Sequence, residues 1–237
     1  MVVKKIGESL KDQAFLLRSV PYGDDHRILS FLTASHGRVE AIALGAKKSS
    51  KRFSGVLDFL HCLEIETQVP RRGGLTQLLH CELREPYEGV RADYEATIIA
   101  LKWIRTVSRV VPEGQSVPGL FALLQEGLSS LAVYRRDWVD VVFLRQLLGR
   151  LGFLLDLSRC VGCHRDRAEA FYFSPEEGGL LCEACHPGPK IQALAGAIPA
   201  DFWERESNGA GEEGDWLRAS RAIFAAGFRH YLGVDPG

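Results

Sequence analysis

The sequence predicts an α+β protein of more than one domain: a small β-barrel, then a helical domain with an inserted four-cysteine ribbon. Three observations predict it. Up to about residue 84, apolar and polar residues alternate between turn clusters, the period of strands that bury one face. From Arg91 the apolar period lengthens to between three and four residues, which is helical. Within the helical part stand Cys160-x-x-Cys163 and, eighteen residues later, Cys182-x-x-Cys185. The expected boundaries are 1–84 for the barrel and 85–237 for the helical domain, with the ribbon at 158–188.

Composition sets the class. Of 237 residues, 46% are hydrophobic and 25% charged, enough apolar material for one large core or two modest ones. No apolar run approaches the ~20 residues needed to span a bilayer. Residues 1–13 (MVVKKIGESLKDQ) are charged and lack the apolar core of a signal peptide. The expectation is a cytoplasmic protein. A net charge of −1 argues against coating nucleic acid over the whole surface, so local clusters of charge carry more information than the total.

The strands are read in order. Gln13–Val20 is the first, closed by Pro21-Tyr-Gly23-Asp24, and Arg27–Ala34 is the second. Arg38–Leu44 is the third, with Val39, Ala41 and Ala43 set against Arg38, Glu40 and Ile42. Val56–Val69 is the fourth, with Leu57, Phe59, His61, Leu63 and Ile65 on one face and Asp58, Cys62, Glu64 and Glu66 on the other. The Pro70-Arg71-Arg72-Gly73-Gly74 turn leads into Leu75–Leu83, the fifth. His61 is expected in the core, and Cys62 and Cys81 as ordinary packing thiols. Five short strands with glycine corners suit a closed barrel of OB or SH3-like type. The loop Gly45–Gly55 favours the OB-fold, the barrel most associated with oligonucleotides. It carries Lys47, Lys48, Lys51 and Arg52 without an acid, together with Phe53. Such a loop either follows a phosphate backbone, with Phe53 stacked on a base, or is a solvated surface loop. Arg38, Arg71 and Arg72 lie on neighbouring connections and are candidate phosphate contacts with it.

The first long helix carries Tyr94, Ile98, Leu101, Ile104, Val107 and Val111 at helical spacing and ends at Pro112-Glu-Gly114. The second starts near Ser116 with Pro118 in its first turn and runs through Leu120, Phe121, Leu124, Leu128 and Leu131. Asp137 caps the third, which carries Val141, Leu144, Leu147, Leu148 and Leu151 up to Gly152. These stripes suit a helical bundle. Lys190–Ala197 and Phe202–Arg205 are short helical candidates, and the acidic, glycine-rich Glu206–Asp215 reads as a loop. The last helix runs from Asp215 to about Leu232 with Trp216, Ile223, Phe224, Phe228 and Tyr231.

Two Cys-x-x-Cys turns at this separation are ribbon spacing. Each aims two sulfurs at one point, and together they form a tetrahedral thiolate cage suited to one structural zinc. Cys160, Cys163, Cys182 and Cys185 are the expected ligands. Each pair is followed by histidine, so Cys-x-x-Cys-His also reads, twice, as a c-type haem attachment pattern. That reading requires export, as does a pair of structural disulfides. The ligand set stays open to His164 or His186 replacing one sulfur. These two histidines also stand where zinc knuckles commonly place a glycine with positive φ.

The order of parts, together with Gly45-x-Lys-Lys-Ser, the helix Phe143-Leu-Arg-Gln-Leu-Leu-Gly-Arg-Leu-Gly-Phe153 running into Cys160-x-x-Cys163, and Gly178-Gly179-x-x-Cys182-x-x-Cys185, resembles the bacterial recombination mediator family RecO. The resemblance implies an N-terminal OB-fold, a helical C-terminal domain and binding of single- and double-stranded DNA. It also implies association with RecR and with the acidic tail of single-stranded DNA-binding protein, strand annealing, and loading of RecA onto coated strands. An acidic tail ending in phenylalanine needs guanidinium groups beside an apolar pocket. The candidates are Arg135, Arg136, Arg145 and Arg150, with Leu144, Leu147 and Leu148 either lining that pocket or forming plain core. No nucleotide-binding glycine loop, HExxH or Gly-x-Ser-x-Gly motif is present, so a binding protein is expected rather than an enzyme. The alternatives are an RNA-binding barrel and an exported dihaem electron carrier.

Overall fold

The computed structural model describes residues 9–47, 53, 55–70, 74–186, 193–194, 197–198 and 212–237. Five strands come first: β1 (Ser9–Tyr22), β2 (His26–Thr33), β3 (Gly37–Ala43), β4 (Cys62–Gln68) and β5 (Gln77–Glu85). They close into a barrel in the order β1-β2-β3-β5-β4, with β1 pairing back onto β4 and β3 meeting β5 in parallel at Ile42 and Gln77. This is the strand order of an OB-fold. The alternation seen in the sequence fills the interior, where Ala14, Leu16, Leu29, Phe31, Leu63 and Ile65 belong to one buried cluster.

β1 is buried on its other face as well. Phe15 is fully buried, with its ring 5.1 Å from Phe121 and 6.0 Å from Tyr87. Leu17 on the same side is also buried. The helices that cover β1 are the short α1 (Glu88–Arg91), then α2 (Tyr94–Val110) and α3 (Leu120–Leu131). Asp93 caps α2, its carboxylate accepting from the Ala96 amide at 2.9 Å. The chain divides into two compact units, 1–133 and 134–237, so α2 and α3 belong with the barrel. The change of period in the sequence falls instead at 84/85. Period alone marks where strands stop but not which core the next helices join.

The second unit holds α4 (Arg136–Arg150), a sheet of β6 (Asp156–Cys160), β7 (Phe171–Ser174), β8 (Gly179–Cys182) and β9 (Ala193–Leu194), and α5 (Glu212–Leu232). α4 packs on α5, and the sheet order is β6-β8-β7-β9. Ala193 and Leu194 pair with β7, so a strand stands inside the predicted Lys190–Ala197 helix. Phe202–Arg205 lies outside the described residues.

Three further expectations are corrected. Residues 56–61 are turns rather than strand, with Leu60 at φ 64. α2 forms as expected and buries Ile104, Val107 and Val111 of the predicted stripe, but its first turns bury Ala96, Ala100 and Trp103 instead of the larger residues there. Tyr94, Ile98 and Leu101 are 81%, 38% and 36% exposed. Small alanines let the helix approach its neighbours closely.

Arg38 is the third correction. Its guanidinium donates to Ser30 Oγ (2.8 Å), to the carbonyls of Ser108 (2.6 Å) and Val111 (2.8 Å) at the end of α2, and to Glu40 (3.2 Å). With its side chain 12% exposed, it fastens β3 to the C-terminus of α2 instead of meeting phosphate. The backbone joins there too, since Arg38 N donates to Gln115 O and Gly114 N to Arg38 O, both at 2.9 Å. Gly37, at φ 66, permits this approach: a Cβ there would stand 2.1 Å from Gln115 O. Arg38→Ala should therefore lower stability by roughly 2 kcal/mol, because it leaves two part-buried carbonyls at the end of α2 without their donor. Thermal melting of the purified variant checks this, and an unchanged melting temperature contradicts it.

Candidate nucleic-acid interface and metal centre

The four cysteines converge. β6 ends on Cys160 and β8 on Cys182, and the two strands lie side by side in parallel. Gly179 allows their close approach, since a Cβ there would come within 2.5 Å of Val161 Cγ1 and 2.7 Å of Asp156 O. Each strand then turns tightly. His164 N donates to Cys160 O at 2.8 Å, and both Cys185 N and His186 N donate to Cys182 O at 3.0 Å. These turns carry Cys163 and Cys185 round to face the strand cysteines. All four sulfurs lie within 4.8 Å of one another, with Cys163 and Cys182 3.7 Å apart. A regular tetrahedron with metal–sulfur bonds of 2.3 Å has edges of about 3.8 Å, so the donors fit a tetrahedral ion with small adjustments.

Burial pushes the Cys160 thiol up, but the amides of Cys182, Cys163 and Gly162 outweigh it and bring the thiol down to about 6. Cys185 is pushed up to about 12 by the hydrogen bonds it shares with Cys163 and Cys182. The hydrogen bonds among the sulfurs pull their titrations in opposite directions, and a bound metal would require all of them as thiolates. Arg165 Nε donates to Cys163 Sγ at 3.1 Å, a contact that sequence reasoning missed although the residue lies only two positions past the knuckle. His164 adopts φ 62, the glycine-like conformation expected of it, and His186 does not. The cage consists of sulfurs, with neither histidine in it. Both pairs share one centre, an arrangement suited to a single ion rather than to two separate haems.

The barrel's candidate contacts sort differently. Lys47 is exposed, its ammonium donating to Gly23 O at 2.8 Å and its amide to Asp25 O at 3.0 Å, so the root of the basic loop is docked on the β1–β2 turn. Lys48, Lys51, Arg52, Arg71 and Arg72 lie outside the described residues. Thr76, which leads into β5, is joined to β3, Ile42 N donating to Thr76 O at 2.7 Å. Phe53 does not offer its ring to a base: it is 4% exposed and packed in the barrel core. His61 is buried as expected, its Nδ1 3.0 Å from Val56 O. Burial pushes Cys62 up to about 11 and Cys81 up to about 12, leaving both as protonated packing thiols.

On α4, Leu144, Leu147 and Leu148 are all but fully buried, so they are core and line no open pocket. Arg135 holds Asp137 through two bonds, at 2.9 and 2.5 Å. Arg145 and Arg150 are exposed and Arg136 is half-buried.

Residues 8–87 match the family recombination protein O N terminal, and residues 91–196 match recombination protein O C terminal. The "DNA repair protein RecO" of Desulfatibacillum aliphaticivorans is 31% identical over 94% of this chain and 92% of its own length. The chain belongs to the RecO family. Among other RecO proteins, that of Pelobacter propionicus is 32% identical over 74% of this chain and 71% of its own, and that of Desulfosudis oleivorans is 31% identical over 91% and 85%. Family membership fits the order of barrel, helices and cysteine ribbon. No helix among the described residues is long and apolar enough to cross a membrane.

The cysteine centre makes a direct prediction. Cys163→Ser should lower both bound metal and melting temperature, because a four-sulfur cage contributes binding free energy to the fold around it. Metal analysis and thermal melting read the two effects. A wild-type protein that is metal-free and melts no higher than the variant contradicts the assignment.

Proposed function

We propose that this RecO-family protein is a non-enzymatic recombination mediator of the cytoplasm and nucleoid that holds single strands of DNA for annealing. The observation that carries the reading is an OB-type barrel whose cationic loop is rooted at Lys47 on the β1–β2 turn. In the sequence, Lys47, Lys48, Lys51 and Arg52 belong to the first connection, and Arg71 and Arg72 to the β4–β5 turn. The outer face of β4 and β5 is unsuited to phosphate, because it presents Glu64, Glu66 and Glu82, tied to Arg84, Lys11 and His80. Cations on two neighbouring connections would lower the repulsion between two strands brought together, the main electrostatic barrier to annealing. Double-stranded DNA would meet the same cations.

The metal in this reading is one structural zinc on Cys160, Cys163, Cys182 and Cys185. It supplies no step of the reaction. Association with RecR, with the acidic tail of single-stranded DNA-binding protein and, through them, loading of RecA are the partners that family membership supports. An RNA-binding role is the second reading, since an OB barrel accepts either strand. Competition between RNA and single-stranded DNA decides between them.

Changing Lys47, Lys48, Lys51 and Arg52 together to alanine should flatten the dependence of binding on salt. Each lost phosphate contact reduces the slope of log K against log salt by about 0.7 for single strands. Titration of labelled single-stranded DNA over a range of salt reads this. A variant with wild-type affinity and slope would show that the loop is not the contact.

A further inference from the structure

Three arginines on the first unit are not used by the fold. Arg18, Arg105 and Arg109 are exposed and stand around one groove of about 410 Å³. None is paired with a carboxylate among the described residues. The groove's fourth arginine, Arg38, is neutralised by Glu40 and bonded to the end of α2. Asp58, beside the groove-lining Phe59, is held by Arg91 at 2.9 Å. The rim therefore has a net positive charge.

Local structure explains how the arginines meet. The register of β1 against β2 shifts between Leu16 and Arg18. The extra residue at this bulge, Leu17, goes to the groove, and Arg18 turns to solvent. Arg105 and Arg109 are one turn apart on α2, about 6 Å, a step comparable to that between successive phosphates of an extended strand. The floor is apolar, made by Leu17, Phe59, Leu101 and Ile104.

Arg18 lies on the same hairpin whose turn receives Lys47, and from Arg18 to Tyr22 the strand covers roughly 13 Å. Between them Arg27 donates to Ser19 Oγ at 2.8 Å. Arg27 is on the other face of the strand from Arg18, the face of Ser19 and the core residue Leu29, so Lys47 and Arg18 are the hairpin's cations on this side, with Asp24 and Asp25 in the turn.

We infer that this groove is a second contact for single-stranded DNA, where Arg18, Arg105 and Arg109 neutralise phosphates beyond the basic loop and the apolar floor receives an unstacked base. The inference rests on the DNA-binding reading but names a different surface. An acidic peptide with apolar side chains would also suit these walls. Two unpaired arginines one helical turn apart suit successive phosphates of a single strand, and this favours the nucleic acid.

The test uses the full chain with Arg105→Ala/Arg109→Ala. Both side chains are exposed and unpaired among the described residues, so melting should be unchanged. Binding of labelled oligothymidylate of about 20 nucleotides, long enough to leave one OB barrel, is titrated against salt. The expected loss of slope is about 1.4, adding to that of the quadruple loop variant. Leu101→Ala should lower affinity and leave the slope alone, since it removes floor and no charge. If the loop variant loses slope and the groove variant does not, the inference is overturned and the loop reading stands. If neither does, both fall. If the groove variant keeps its DNA binding and instead loses affinity for a labelled acidic peptide of alternating Asp and Leu, the groove serves a protein partner and the inference is overturned.

Discussion

The structure of the first unit depends on one strand being buried on both faces. Ala14 and Leu16 fill the barrel, while Phe15 and Leu17 stand on the opposite side, Phe15 against the rings of Tyr87 and Phe121. Burying a side chain of this size contributes roughly 2 kcal/mol or more, so neither partner of β1 is optional. The barrel alone would expose Phe15, and the helices alone would lack the surface they close upon. The same constraint positions the charges: α2 ends where Arg38 can reach its last carbonyls, and this places Arg105 and Arg109 opposite the bulge at Arg18.

Much of this was legible in the sequence wherever the information is local. A period of two located five strands, and glycine-containing turns separated them. The Cys-x-x-Cys spacing located the metal cage because each turn needs only four consecutive residues to aim two sulfurs. Where two local signals competed, the reading failed. Val56 to His61 alternates like a strand, yet Leu60 takes a left-handed conformation and the segment turns. On α2 the predicted Ile104, Val107 and Val111 are buried, but Tyr94, Ile98 and Leu101 stand outside while Ala96, Ala100 and Trp103 fill the N-terminal part of the buried face.

The charged site was less legible because its meaning is non-local. Arg38 looks like any strand arginine until the carbonyls 70 and 73 residues further on are seen to accept from it. Phe53 sits among cations in sequence but in the barrel core in space. Arg18 and Arg105 share a groove with nothing in the intervening chain to announce it. A residue's role as a phosphate contact depends on whether the fold has already claimed its hydrogen bonds, and only the three-dimensional arrangement shows that.

The central claim is that the barrel and helices α1 to α3 form one unit, with β1 as the shared element, and that the DNA-binding surface belongs to this unit. Two truncated chains test it, one ending at Val133 and one at Glu85. The account predicts that the longer chain melts in a single cooperative transition and binds single-stranded DNA with the salt slope of the full chain, while the shorter one does not fold. A chain ending at Glu85 that melts cooperatively and binds DNA as the full chain does would contradict it.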